Sequence, residues 1–329
     1  MHRFADPIDR ALLDDWQRDF PVAARPFAAL AQHLGTTEAD VIARLRARQA
    51  AGQITRVGAT VAPNTIAAST LAAVAAPEGR VEQVAAIIGE EPGVNHSYLR
   101  ENTWNLWFVA TGPDRAHVGA ALARIARRSG LRVLDLPLVR PFNLDLGFSL
   151  RGETGARLAP PPPDITVLRP VDRGIVQALM RGLPLTLRPY ADIGAPLGLD
   201  MDAVIARIRV LVAARIIARL GVIVRHRALG WRSNAMVVWD LPHDAVTIAG
   251  PVLAAQPGVT LCYERAPVEG VWPYRLYSMI HARSRAEALA RLGAAADRPE
   301  LRGAPHLALF SSHCFKQTGA MVAGERTPA

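Results

Sequence analysis

The sequence predicts an α+β chain built as a tandem repeat, each copy a winged helix-turn-helix followed by a ferredoxin-like βαββαβ domain. Three observations predict it: a constant-offset internal repeat, a three-helix pattern with a glycine turn at the head of each copy, and alternating strand and helix periods behind it. Asp9-Arg10 returns as Asp172-Arg173, 163 positions later. The same offset carries Pro21 to Pro184, Arg25-Pro26 to Arg188-Pro189, Leu34-Gly35 to Leu197-Gly198, Val41-Ile42-Ala43-Arg44 to Val204-Ile205-Ala206-Arg207, and Gly58 to Gly221. After a short insertion Pro92-Gly93-Val94 aligns with Pro257-Gly258-Val259, Tyr98 with Tyr263 and Arg100 with Arg265. So many unlike residues in one register are not a composition artefact.

In residues 8–18, Ile8, Leu12, Leu13 and Trp16 fall on one helical face. A proline break leads to a short helix over 26–33, ended by Gly35, and Thr36 or Thr37 caps the next helix, which stops at Gly52. Residues 53–61 alternate as a wing strand would. The pattern returns at 171–183, 189–196, 200–214 and 216–225. The remainder of the first copy reads as strand 69–76, helix 80–90, strands through NHSYLR and WNLWFVATG, helix 113–128 and strand 131–139. The second copy repeats it at 234–240, 244–255, 259–265, 273–282, 284–296 and 305–310. Domain limits follow: helix-turn-helix 1–62, ferredoxin-like 63–150, a proline-rich linker 151–163, helix-turn-helix 164–227, and ferredoxin-like 228–329.

The chain has 329 residues, half of them hydrophobic and a fifth charged, enough for proper cores. No apolar run reaches the roughly 20 residues of a membrane helix, and the first residues lack a secretory h-region, so a cytoplasmic protein with no membrane partner is expected. Cys262 and Cys314 are too few for a disulfide scaffold or a cysteine-rich metal site. The net charge is +9, and Lys316 is the single lysine among the basic residues. That balance permits an acidic partner without identifying it. Arg225, His226 and Arg227, with Arg232 just beyond, gather four basic side chains where helical and strand-like segments meet, which points to an anionic ligand: DNA, an acidic effector or a substrate. The first copy has Ala62-Pro63-Asn64 in place of the basic triplet.

A winged helix-turn-helix followed by a ferredoxin-like domain is the plan of the leucine-responsive/AsnC regulators. EPGVNHSYLREN and TWNLWFVATG resemble the D subunit (B in the alternative haem pathway) of the siroheme decarboxylases. VIVRHRALGWRSNAMVVWDLP, QPGVTLCYERAPVEGVWPYRLYSMIHARS and LFSSHCFKQTGA resemble the L (or A) subunit. The chain thus resembles a fused D–L siroheme decarboxylase of haem d1 biosynthesis over nearly its whole length. The resemblance implies loss of two CO2 from acetate side chains of siroheme, giving 12,18-didecarboxysiroheme. It implies no separate cofactor and no added metal, because the iron arrives with the substrate.

Decarboxylation leaves carbanion-like charge that an acid must quench, and histidine suits that role near neutral pH. His226, flanked by Arg225 and Arg227, is the first candidate. His96 is the second, because His96, Tyr98 and Arg100 alternate and a strand would aim them at one face. The second copy keeps Tyr263 and Arg265 but has Leu261 for His96, and His281 stands where the first copy has Thr111. The histidines are therefore divided between the halves, with His281 a further catalytic candidate beside His226, His96 and Arg225, and Tyr98, Arg100, Tyr263 and Arg265 candidate substrate-binding residues. Arg225, Arg227, Arg232, Arg275 and Lys316 are candidate carboxylate clamps, and Trp272 and Tyr274 candidate macrocycle contacts on a five-residue insertion. Expected partners are siroheme and its product, with a homodimer or companion subunits open. Two rivals remain: a DNA-binding regulator, disfavoured because the third helices are alanine-rich or apolar, and a tetrapyrrole carrier without turnover.

Overall fold

The computed structural model describes residues 6–143, 161–225, 227 and 230–323. In chain order the first copy forms α1 (Pro7–Asp14), α2 (Pro26–Leu34), α3 (Glu38–Ala50), β1 (Ile54–Val61), β2 (Ala68–Val74), α4 (Val81–Glu90), β3 (Val94–Arg100), β4 (Leu106–Gly112), α5 (Arg115–Ser129) and β5 (Val133–Asn143). The second forms α6 (Asp172–Arg181), α7 (Pro189–Gly194), α8 (Met201–Ala213), β6 (Ile217–Val224), β7 (Ser233–Trp239), α9 (His243–Ala254), β8 (Val259–Arg265), β9 (Leu276–Ala282), α10 (Arg285–Ala296) and β10 (His306–Gln317). The linker expected at 151–163 lies outside the described residues up to 160. No helix among the described residues is long and apolar enough to cross a membrane.

The two copies do not fold side by side. Their helical parts form one unit and their ferredoxin-like parts another, the chain changing unit after Ala68, Pro161, Leu229 and Gln317. The barrel's second half therefore ends at Gln317. Residues beyond it belong to the helical unit, where the Gln177 side chain accepts from the Val322 and Ala323 amides at 2.8 and 3.1 Å.

In the helical unit the third helices start on side-chain caps, Thr37 for α3 and Asp200 for α8, and α2 stops at left-handed Gly35. Each wing strand pairs with the wing of the other copy: β1 and β6 form a two-stranded antiparallel sheet with Gly58 opposite Gly221. A Cβ on Gly58 would lie 2.3 Å from the Leu179 carbonyl oxygen, and one on Gly221 equally close to that of Gln17. The repeat is thus a pseudo-twofold whose centre must be glycine.

In the other unit the eight remaining strands close into a barrel, β10-β3-β4-β2-β5-β8-β9-β7. Each half keeps the ferredoxin order, and the last strand of each half joins it to the other. β5 pairs with β2 through residues 133–137 and then with β8, while β10 pairs with β7 through 306–310 and then with β3. These strands run past the expected 139 and 310 because an exposed edge of the other half satisfies their backbone groups. The crossing is anchored by packing: Phe142 of β5 enters the core between the second half's sheet and helices, and Gly250 of α9 has no Cβ where the ring sits. Inside the barrel Leu71, Trp107, Leu136, Met236, Val238, Tyr263, Trp272, Tyr277 and Met279 fill the space.

Candidate active site

His96, Tyr98 and Arg100 alternate along β3, and His96 and Tyr98 lie opposite Val109 and Trp107 of β4. Those two partners belong to the interior cluster, so the β3 trio faces the barrel interior. His96 and Tyr98 are half-buried, their rings nearly parallel with centroids 6.4 Å apart. Arg100 is buried, its guanidinium 5.5 Å from the Tyr98 ring centre. The second half repeats the arrangement, with Arg265 4.6 Å from the Tyr263 ring centre. Each arginine also reaches the neighbouring strand from the other half: Arg100 donates to the Leu309 carbonyl (2.9 Å) on β10, and Arg265 to the Leu136 carbonyl (2.6 Å) on β5. The repeated Tyr-x-Arg motif therefore ties each half to the other's last strand. This role belongs to the fold, and it uses only part of each five-donor fork.

Arg100 also opens a buried chain of hydrogen bonds. Its Nη1 donates to Asn234 Oδ1 (3.1 Å), and Asn234 Nδ2 lies 2.6 Å from His281 Nε2. His281 Nδ1 is 2.7 Å from Thr260 Oγ1, which is 3.3 Å from the Met279 carbonyl oxygen. The directions follow from chemistry. Arginine can only donate, so the Asn234 oxygen faces it and the amide nitrogen faces His281. Nε2 then accepts, and the imidazole proton sits on Nδ1, donating to Thr260. The chain ends at a backbone carbonyl, with Asn234, Thr260 and His281 all buried. Both ring nitrogens of His281 are thereby engaged. The ring contacts Asn234, which holds Arg100, and His96 is the more accessible of the two histidines that face the interior. Asn234 and Thr260 escaped the sequence reading; the available signal was a polar residue inside the apolar run SNAMVVW.

Trp272 is buried against Trp107 (centroids 5.3 Å) and Tyr274 (4.8 Å), and its Nε1 donates to the Tyr277 hydroxyl at 2.8 Å. Burial pushes the Tyr277 phenol well above its ordinary range. Trp272 thus serves the barrel core, while Tyr274 and Arg275 beside it stay half-buried. The Arg275 backbone links β8 to β7, its carbonyl accepting from the Arg265 amide (2.8 Å) and its amide donating to the Trp239 carbonyl (3.1 Å). Lys316 caps the end of α4, donating to the carbonyls of Gly89 (2.6 Å) and Glu91 (3.3 Å). Burial lowers its ammonium pKa, against the pull of Glu91.

Arg225 is exposed in the helical unit just after β6, its amide donating to the Gln53 carbonyl at 2.8 Å, and Arg227 is half-buried there. Arg232 is exposed and belongs to the barrel unit. His226 lies outside the described residues. The structure therefore brings together His96, Tyr98, Arg100 and His281 around one face, and Tyr263, Arg265, Trp272 and Tyr274 in the other half.

The fold and this interior define a tandem AsnC-like protein. The model of the AsnC-like ligand binding domain matches residues 66–143 and 228–316, and that of the siroheme decarboxylase NirDL-like HTH domain matches 9–54 and 172–217. The siroheme decarboxylase NirDL subunit of Paracoccus pantotrophus is 56% identical over 319 residues, covering 97% of this chain and 98% of the relative. The NirD subunit of Stutzerimonas stutzeri is 49% identical over 145 residues, 44% of this chain and 95% of that one. The chain belongs to the siroheme decarboxylase family. A crystal structure of the siroheme decarboxylase NirDL shares the fold, with a TM-score of 0.69 at 23% identity, covering 95% of this chain and 94% of the other. The NirDL fold has also been solved in co-complex with an iron-uroporphyrin III analogue (TM-score 0.65, 23% identity, 93% and 91% covered).

Proposed function

We propose that this protein is a carboxy-lyase that takes siroheme and removes CO2 from two acetate side chains, releasing 12,18-didecarboxysiroheme for haem d1 biosynthesis in the cytoplasm. What carries the reading is the 56% identity, over nearly the whole of both chains, with an enzyme named for that activity. At each acetate the bond between methylene and carboxylate carbons breaks. The electron pair stays on the methylene carbon, shared with the macrocycle, and one proton quenches it to methyl. Two histidines are the proton donors this reading proposes. His226 stands between Arg225 and Arg227, which hold substrate carboxylates, and His96 stands accessible beside Tyr98. The iron is substrate, and the reading calls for no further cofactor.

The regulator reading fits the third helices poorly. On α3, Arg44 bonds Asp6 and Asp9, and Arg48 bonds Gln53. On α8, Arg207 is buried on Asp172 and Arg209 donates to the Val22 carbonyl. Arginines engaged within the fold are poorly placed to read base edges. The test is anaerobic incubation of purified protein with siroheme. A product lighter by two CO2 is expected. Unaltered siroheme bound tightly would replace the enzyme with a carrier, and sequence-specific DNA binding without turnover would replace it with a regulator.

A further inference from the structure

The helical unit has a cavity of about 380 Å³, lined by Arg46 and Gln49 of α3, Arg56 of β1, and the turn Arg181–Thr186 after α6. Three cations share it and no carboxylate is among its lining residues. None of the three arginines is ion-paired among the described residues. Arg46 spends one donor on the Leu185 carbonyl at 2.7 Å, and the Nε of Arg56 is buried without a hydrogen-bond partner. Burial lowers the Arg56 pKa from its ordinary value, yet a guanidinium stays charged in proteins. The backbone makes room for this side chain. A Cβ on Gly58 would lie 3.2 Å from Arg56 Nε, and one on Gly182 would lie 3.3 Å from Arg56 Cβ, at a φ of +140°.

The repeat supplies the contrast. At the pseudo-equivalent positions, 163 residues away in either direction, Arg18, Arg209 and Arg219 keep the three cations. Asp19 replaces Gly182, Val212 replaces Gln49 and Ala23 replaces Thr186. The equivalent place thus carries an acid and two apolar residues where the cavity has glycine, an amide and a hydroxyl. The arginines are common to both, while the amide, which donates to the Thr55 carbonyl (3.1 Å), and the hydroxyl, which donates to Asp192, belong to the cavity alone.

We propose that this cavity is a binding site for a small polyanion whose carboxylate or phosphate oxygens take the arginine forks. Fork-to-oxyanion pairing is the strongest recognition available to these side chains. The volume falls within the roughly 300–1,000 Å³ of small-molecule sites and is too small for a siroheme macrocycle with its eight carboxylates. Because the lining comes from both copies, an occupant binds the two halves of the helical unit together and raises its stability by mass action.

The experiment is calorimetric titration and thermal melting of the full chain at low ionic strength with citrate and with pyrophosphate. Saturable binding with a rise in Tm is expected, weakened at least about tenfold in Arg181→Glu and also weakened in Gln49→Val. A preference for citrate assigns carboxylates and one for pyrophosphate assigns phosphates. Arg181 is exposed, so its variant should fold, which circular dichroism checks; Arg56→Gln is the second variant. No saturation by either anion up to ~10 mM overturns the site, as does undiminished binding in both arginine variants. Duplex DNA that displaces both anions and is lost with Arg181→Glu would make the cavity a nucleic-acid contact and overturn the small-molecule assignment.

Discussion

Asn234 Nδ2 lies 2.6 Å from His281 Nε2, and that contact decides where the imidazole carries its proton. Replacing Asn234 by leucine removes the acceptor of Arg100 and the donor to His281 at once. Two buried polar groups lose partners, at about 1–3 kcal/mol each, so Asn234→Leu should cost roughly 2–6 kcal/mol in urea unfolding. Asn234→Asp should behave differently. A carboxylate beside Nε2 accepts a proton there, so ¹⁵N imidazole shifts should report more of the doubly protonated ring than in the native protein, whose contacts favour Nδ1–H.

The histidines should separate by role. His96→Ala should lower siroheme turnover by about 10²-fold, the scale of a lost general acid, with tetrapyrrole binding retained in absorbance titrations. His226→Ala should show at least the same loss, and Arg225→Ala should act mainly on KM. Native turnover in either histidine variant removes that residue from proton delivery.

The sequence repeat made the architecture legible because identical turns and caps recur at one offset, and each copy alone specifies its helices and strands. It could not show that like parts of the two copies combine. Nothing within 53–61 says that its partner is 216–225; the Gly58–Gly221 pair is visible only once the strands meet. Nor does SSHCFKQ announce that it continues β10 along β3. The site was legible where residues alternate on one strand, as with His96, Tyr98 and Arg100. It was not legible where a network joins β3, β7, β8 and β9, because Asn234 and Thr260 gain meaning only from His281 between them. Lys316 looked like a free cation because the carbonyl end of α4, which it caps, is remote in sequence.

The centre of the helical unit gives a stability test. Gly58→Ala places a methyl 2.3 Å from the Leu179 carbonyl oxygen, which is backbone and cannot turn away. The strand must shift, at a cost of roughly 1–3 kcal/mol or more by analogy with overpacked cores. Gly221→Ala should cost a similar amount through the Gln17 carbonyl. Gly35→Ala is the contrast, since its penalty comes only from the left-handed backbone and no atom lies within 4 Å of the added carbon. Denaturant midpoints that place Gly58→Ala no lower than Gly35→Ala would mean the two wings have slack.

The two thiols should differ in reactivity. Cys262 is fully buried, its Sγ 3.5 Å from the Gly250 carbonyl oxygen, and burial pushes its pKa far above the ordinary 9.0. Cys314 is half-buried on β10, opposite Tyr98 of β3. Because the thiolate is the reactive form, a disulfide reagent near pH 8 should titrate Cys314 alone in the folded protein, and Cys262 only after unfolding. The same shift bears on alkaline stability. An acid with a raised folded pKa is protonated in the folded state where the unfolded chain has released its proton, so its contribution is full below the unfolded value and is lost as pH rises. Stability should therefore fall above about pH 9 with a slope that Cys262→Ala reduces, read from urea midpoints between pH 8 and 10.5. An unchanged slope would place the alkaline sensitivity in other groups, and rapid labelling of both thiols in native buffer would show that α9 opens over Cys262.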